Sequence, residues 1–212
     1  HDYFVQAARE RRQTPKDDLI SDLVRAQAEG ERLDDASIAR FSALLYTAGH
    51  VTTTDLISNT FLCFEDFPEA KAQVMAQPEL LPGATEEVLR YCSSVQAFPR
   101  RLTKDIELRG QKLHTGDLII IWNGSANHDE LAFPDPERFD VQRSPNRHIA
   151  FGHGIHFCLG APLARLETPI AVQAILERLP RLERIGEVDF MPIGPLITFG
   201  PKNLKMRFTH PQ

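Results

Sequence analysis

The chain has 212 residues, 42% hydrophobic and 25% charged, with a net charge of −5. That balance describes a globular chain of one large or two small domains and gives no reason to expect nucleic acid as a partner. No apolar run is long enough to span a bilayer, and His1-Asp-Tyr-Phe-Val reads as neither a signal peptide nor an initiator sequence. Three widely spaced cysteines, Cys63, Cys92 and Cys158, do not make a disulfide framework, so a reducing compartment, the cytoplasm, is the expected location.

Taken in chain order, helices come first, then strands, then a helix. Residues 2–13 and 17–29 read as two helices joined through Thr14-Pro15, the second carrying Leu19, Ile20, Leu23 and Val24 on one stripe. Asp34, Asp35 and Ser37 offer caps for a long helix from about 36 to 66 that Pro68 closes. Two more helices follow, Pro68 to Gln77 and about 80 to 92, punctuated by Pro78 and Pro82. From Phe98 to Trp122 the pattern changes to short strands, with turns at Arg109-Gly110 and His114-Thr-Gly-Asp117. Residues 132–157 are rich in Pro, Asp, Arg and Gly and read as irregular, a helix follows Cys158, and 186–210 returns to short extended pieces. The expected fold class is mainly α with small β-sheets, helical over 1–97, with sheets, the Cys158 loop and its helix over 98–212.

Three places carry candidate chemistry. In Phe151-Gly-His-Gly-Ile-His-Phe-Cys158-Leu-Gly160-Ala-Pro, Pro162 suits the first turn of a helix, so Cys158 lies just ahead of a helix N-terminus that favours the thiolate. Gly152, Gly154 and Gly160 permit a tight loop pressed against a flat ring system, and Phe151 and Phe157 offer an apolar wall. Two plainer readings compete: a cysteine packed as a small buried hydrophobe, and a zinc site with His148, His153 and His156. In Ala48-Gly49-His50-Val51-Thr52-Thr53-Thr54, a glycine and three threonines fall mid-helix where propensity disfavours them. Hydroxyls bonding back one turn would loosen the ladder into a groove, unless this is simply a tolerated weak spot packed against another helix. Glu87 and Arg90 share a helical face, which by itself reads as a surface ion pair.

The spacing Phe151-x-x-Gly154-x-His156-x-Cys158-x-Gly160 resembles the haem-binding loop of cytochromes P450, and Cys158-Leu-Gly-Ala-Pro-Leu-Ala-Arg-Leu-Glu167 is similar to the soluble bacterial members. The resemblance implies that Cys158 ligates the iron of haem b. It implies that Ala48, Gly49 and Thr52 form an oxygen groove in which Thr52 hydrogen-bonds dioxygen and relays protons. Glu87 and Arg90 would brace the loop, with Arg138 of Pro136-Glu-Arg-Phe139 as third partner, and Arg100, in preference to Arg101, would join His156 in holding the propionates. The implied activity is monooxygenation of a small organic substrate, with electrons drawn indirectly from NAD(P)H through a ferredoxin- or flavodoxin-type donor docked near Arg143, Arg147 and Arg165. Val95, Gln96, Ala97 and the Pro192 to Ile197 turn would face the substrate.

One position departs from the pattern. Val51 stands where the family carries Glu or Asp, which implies slowed proton delivery and more peroxide release; Asp55, one turn on, and His50 are the candidate substitutes. A peroxide-using or non-oxygenating haem-thiolate protein and a non-enzymatic or zinc-binding module are the alternatives. The resemblance covers only the C-terminal half of the family, so the chain is expected to be a piece of a longer protein.

Overall fold

The structure, a computed structural model, describes residues 1–28, 31–179, 181–190 and 198–209. Its contacts divide the chain into two compact units, His1–Val51 and Thr52–Gln212.

In the first unit, α1 spans Asp2–Gln13 and α2 spans Leu19–Arg25. Asp18 caps α2 by accepting from the Ser21 amide at 2.9 Å, and Arg11 Nε donates to its other oxygen at 2.6 Å. The helix expected over 17–29 is shorter: Ala26 turns to an extended conformation, and the chain enters a two-residue strand, β1 (Gln27–Ala28), paired with β2 (Glu31–Arg32). The long helix α3 runs Asp35–Asp66 and begins as its caps suggested, with the Ser37 amide donating to Asp34 Oδ1 at 2.6 Å. Arg9 and Arg12 both donate to the Asp35 carboxylate.

The second unit is built around helices. Besides the C-terminal part of α3, it holds α4 (Pro68–Ala76), α5 (Leu81–Tyr91) and α7 (Ala161–Arg178), with the one-turn α6 at Asn123–Ala126. Leu56, Phe61, Phe64, Val74, Leu81, Val88, Leu89, Phe139, Val172 and Leu176 form its core. Each such side chain contributes about 1.5–3 kcal/mol on burial. Pro at the first turn starts α4 and α7, as the sequence suggested. α5 packs against α7, and at Gly83 the Val141 carbonyl comes so near that a Cβ would lie 2.6 Å from its oxygen.

The strands pair locally. β3 (Ala97–Arg101) lies antiparallel to β6 (Leu118–Trp122), Arg100 facing Ile119. β4 (Ile106–Leu108) and β5 (Gln111–Leu113) form a hairpin whose two turn residues, Arg109 (φ 48°) and Gly110 (φ 80°), both take positive φ, as a two-residue type I′ turn requires. Farther on, β7 (Glu183–Arg184) pairs with β10 (Met206–Arg207), and β8 (Asp189–Phe190) with β9 (Pro201–Asn203). The expected helices and small sheets are both present; the turn over 192–197 lies outside the described residues.

Candidate functional site

Cys158 ends a tight loop. Gly152 and Gly154 both have φ +74°, a conformation that excludes most side chains, and they carry the backbone round so that the Cys158 amide donates to the Phe151 carbonyl at 3.0 Å. The Cys158 carbonyl accepts from Ala161, the first residue of α7, at 3.2 Å. The thiol is exposed rather than packed as a buried hydrophobe. Around it in the chain, Phe157 and Leu159 are exposed as well, Leu159 to 80%. A Cβ on Gly160 would come within 3.9 Å of the sulfur, so glycine there keeps its flank clear.

Ahead of this loop in the chain lies a buried ionic network. Glu87 and Arg90, both 0% exposed, form a two-pronged pair: Arg90 Nε donates to Oε2 at 2.9 Å and Nη2 to Oε1 at 2.8 Å. Glu87 also accepts from the Asp140 amide at 2.9 Å, Arg143 Nε at 3.2 Å and Asn146 Nδ2 at 3.1 Å. Arg90 donates onward to the carbonyls of Asn127 and Arg138. The pair is therefore buried, not the surface ion pair that its spacing alone suggests. Its third cation corrects an expectation: Arg143, not Arg138, reaches Glu87. The Arg138 side chain is 70% exposed and pairs with Asp140, while only its carbonyl enters the network. The backbone turns at Asp135 (φ 49°), and Arg143 donates to the carbonyls of Pro134, Asp135 and Arg138, tying the turn shut.

A second cluster joins α5 to α7. Arg165 grips Glu86 through Nε (2.7 Å) and Nη2 (2.9 Å), and its guanidinium lies 4.7 Å from the Phe151 ring centre. His148 Nδ1 accepts from the Ala150 amide, so Nε2 carries the proton that it donates to Glu86 at 3.1 Å. Burial works to raise the Glu86 carboxyl, but these hydrogen bonds outweigh it and hold the group down at about 2. A depressed carboxyl contributes stability above its unfolded value that is lost as pH falls through the folded one. Denaturant titrations should therefore show wild-type stability falling between about pH 4.5 and about pH 2 more steeply than in Glu86→Gln; parallel acid limbs would contradict this.

Arg143 and Arg165 are thus engaged in ion pairs, Arg165 at the exposed surface, whereas Arg147 is exposed and outside these networks. His148 is likewise committed, and among the described residues no group of three His, Cys, Asp or Glu side chains could hold a metal ion. Sequence reasoning missed Arg143, Glu86 and Asn127. The last, fully buried, receives the Ile149 amide on its side-chain oxygen at 2.8 Å and donates to Ser93 Oγ.

The remaining candidates are placed as follows. On β3, Arg101 Nη1 donates to the Gly116 carbonyl at 2.7 Å, whereas exposed Arg100 donates to the neighbouring Pro99 carbonyl and lies over the Phe98 ring. His156 is exposed. Thr52 is half-buried on α3, and Ala48 and Gly49 are exposed on the same helix. Val95 bridges Thr198, Ala97 is buried, and Gln96 is turned onto the Ser93 carbonyl and against Gly124.

A cytochrome P450 family model matches residues 1–208. The chain belongs to the cytochrome P450 family. It is 42% identical over 210 residues to cyclomarin C epoxidase CymV of Salinispora arenicola, covering 99% of this chain and 53% of that one. It is 40% identical over 178 residues to mycinamicin IV hydroxylase/epoxidase of Micromonospora griseorubida, covering 83% and 45%. The crystal structure of CYP109E1 from Bacillus megaterium in complex with testosterone superposes with a TM-score of 0.90 at 44% identity, over 98% of this chain and 57% of that one. This P450 chain spans about half the length of the curated relatives that it matches.

Membership implies a haem cofactor, and the residues present suit one. An exposed thiol at the head of α7 with exposed apolar neighbours is the donor that such an iron-centred ring would take.

Proposed function

We propose that this chain is the cysteine-bearing part of a haem-thiolate monooxygenase, which inserts one oxygen atom of dioxygen into a small organic substrate. The observation that carries the reading is the exposed Cys158 sulfur, held at the head of α7 by a loop with positive-φ glycines. Haem b, when bound, supplies oxygen activation, to which a thiolate ligand adds electron density that favours O–O cleavage. Cys158 is the ligand in this reading, and Phe151, Gly152 and Gly160 shape its loop. Arg100 and His156 hold the propionates, for which a planar guanidinium offers paired donors. Thr52 orients oxygen and passes protons to it, with Ala48 and Gly49 supplying the small residues of the family pattern.

The relatives' names support the chemistry, one being an epoxidase and one a hydroxylase/epoxidase. Electrons come from NAD(P)H through a ferredoxin- or flavodoxin-type donor. Three free cysteines suit a reducing cytoplasm, and among the described residues no helix is long and apolar enough to cross a membrane. Turnover of the haem-loaded protein with reduced donor and oxygen tests the reading; product formed with peroxide alone selects the peroxide-using alternative that Val51 favours. Val51→Glu is expected to raise product per reductant consumed, and an unchanged or lower ratio would defeat the claim that an acid is missing there.

A further inference from the structure

Beyond Thr52 on α3, the structure buries the acid that the sequence offered as a substitute for the one missing at position 51. Asp55 is 8% exposed, three residues past Thr52 and so on a neighbouring face of the same helix. Its carboxyl is pressed against Gly200, where an added Cβ would stand 2.3 Å from Oδ1, and Oδ2 has no partner among the described residues.

Asp55 does not stand alone. Asn59, one turn on, donates to the carbonyls of Cys92 (3.1 Å) and Phe199 (3.0 Å), and the Phe199 amide donates to the Ser94 carbonyl at 2.8 Å. Val95 bridges Thr198 beside them. Within this small junction of α3, residues 92–95 and residues 198–200, four buried oxygens have no partner among the described residues: Asp55 Oδ2, Asn59 Oδ1, Ser94 Oγ and Thr198 Oγ1. An unpaired buried polar atom costs about 1–3 kcal/mol, and such atoms are ordinarily satisfied by internal water. Four of them fall at this one junction of three chain segments. Burial raises the Asp55 carboxyl above the ordinary aspartate value, with no charged partner acting on it.

We infer that Asp55 is the proton-holding group of the α3 helix, resupplied through a hydrated seam of Asn59, Ser94 and Thr198, and that it serves where position 51 lacks an acid. In the step, the Asp55 O–H bond breaks and its proton passes by way of internal water toward the Thr52 hydroxyl. The carboxylate left behind takes a proton from the seam, which draws on solvent. The inference rests on the monooxygenase reading for the destination of the proton, but not for its presence on Asp55.

Infrared difference spectra of wild type against Asp55→Asn at neutral pH test the holding step. A protonated-carboxyl band that moves in deuterated water and is lost in the variant is expected; no lost band would overturn the inference. Ser94→Ala, which leaves the acid in place, should retain that band and slow its deuterium exchange severalfold, and unchanged exchange would remove the seam from the inference. In the haem-loaded protein, Asp55→Asn should raise peroxide released per reductant consumed severalfold; an unchanged ratio in folded variant would overturn the delivery role. Absence of turnover in wild type would instead defeat the monooxygenase reading, and the infrared result would still decide whether Asp55 holds a proton.

Discussion

Glu87→Ala is expected to abolish cooperative folding and haem retention together. The variant would leave Arg90, fully buried, and Arg143, nearly so, without their shared carboxylate, and would strand the Asp140 amide and Asn146 side chain. Breaking a buried pair by deleting one partner costs about 3–5 kcal/mol, a large share of the roughly 5–15 kcal/mol that holds a typical domain. Urea titration followed by circular dichroism measures this directly, and a midpoint close to wild type would contradict the brace. The same experiment separates the two arginines. Arg143→Ala should approach the Glu87→Ala loss, whereas Arg138→Ala removes only an exposed side chain and should stay within about 0.5 kcal/mol of wild type.

Cys158→Ser is expected to give the opposite combination, a sound fold with the chemistry lost. The sulfur is exposed, and the backbone bonds that shape its loop, from the Cys158 amide to Phe151 and from Ala161 to the Cys158 carbonyl, do not involve the side chain. The denaturation midpoint should therefore move by no more than about 0.5 kcal/mol in equivalent stability. Serine offers no thiolate, so haem that still binds should lack the spectral signature of sulfur ligation and should not support oxygenation. A Cys158→Ser protein with an unaltered haem spectrum would remove Cys158 from the site.

The residues that could be placed from sequence were those whose role is set locally. Pro68 closes α3 and opens α4, the Arg109-Gly110 turn needs two positive φ angles, and Glu87 with Arg90 shares a helical face at three-residue spacing. The glycines of the Cys158 loop belong to the same class. What sequence left undecided depends on distant chain or on irregular backbone. Pro136 to Arg143 has no period from which to tell which arginine turns inward, and in the fold it is Arg143 that reaches Glu87. Arg165 reads as a free surface cation until Glu86, far earlier in the chain, closes on it. Asp55 could be singled out on α3 as an acid, but not as a buried one, because the Gly200 that comes against its carboxyl lies far along the chain. The second helix ends early because its final residues are drawn into the pairing of β1 with β2.

Sulfur ligation of haem by Cys158 is the claim on which the functional account turns, and the absorption spectrum of the reduced, carbon monoxide-bound protein tests it most directly. The account predicts the red-shifted Soret band of a thiolate-ligated haem, lost in Cys158→Ser. A haem-loaded protein without that band in the wild type would contradict it.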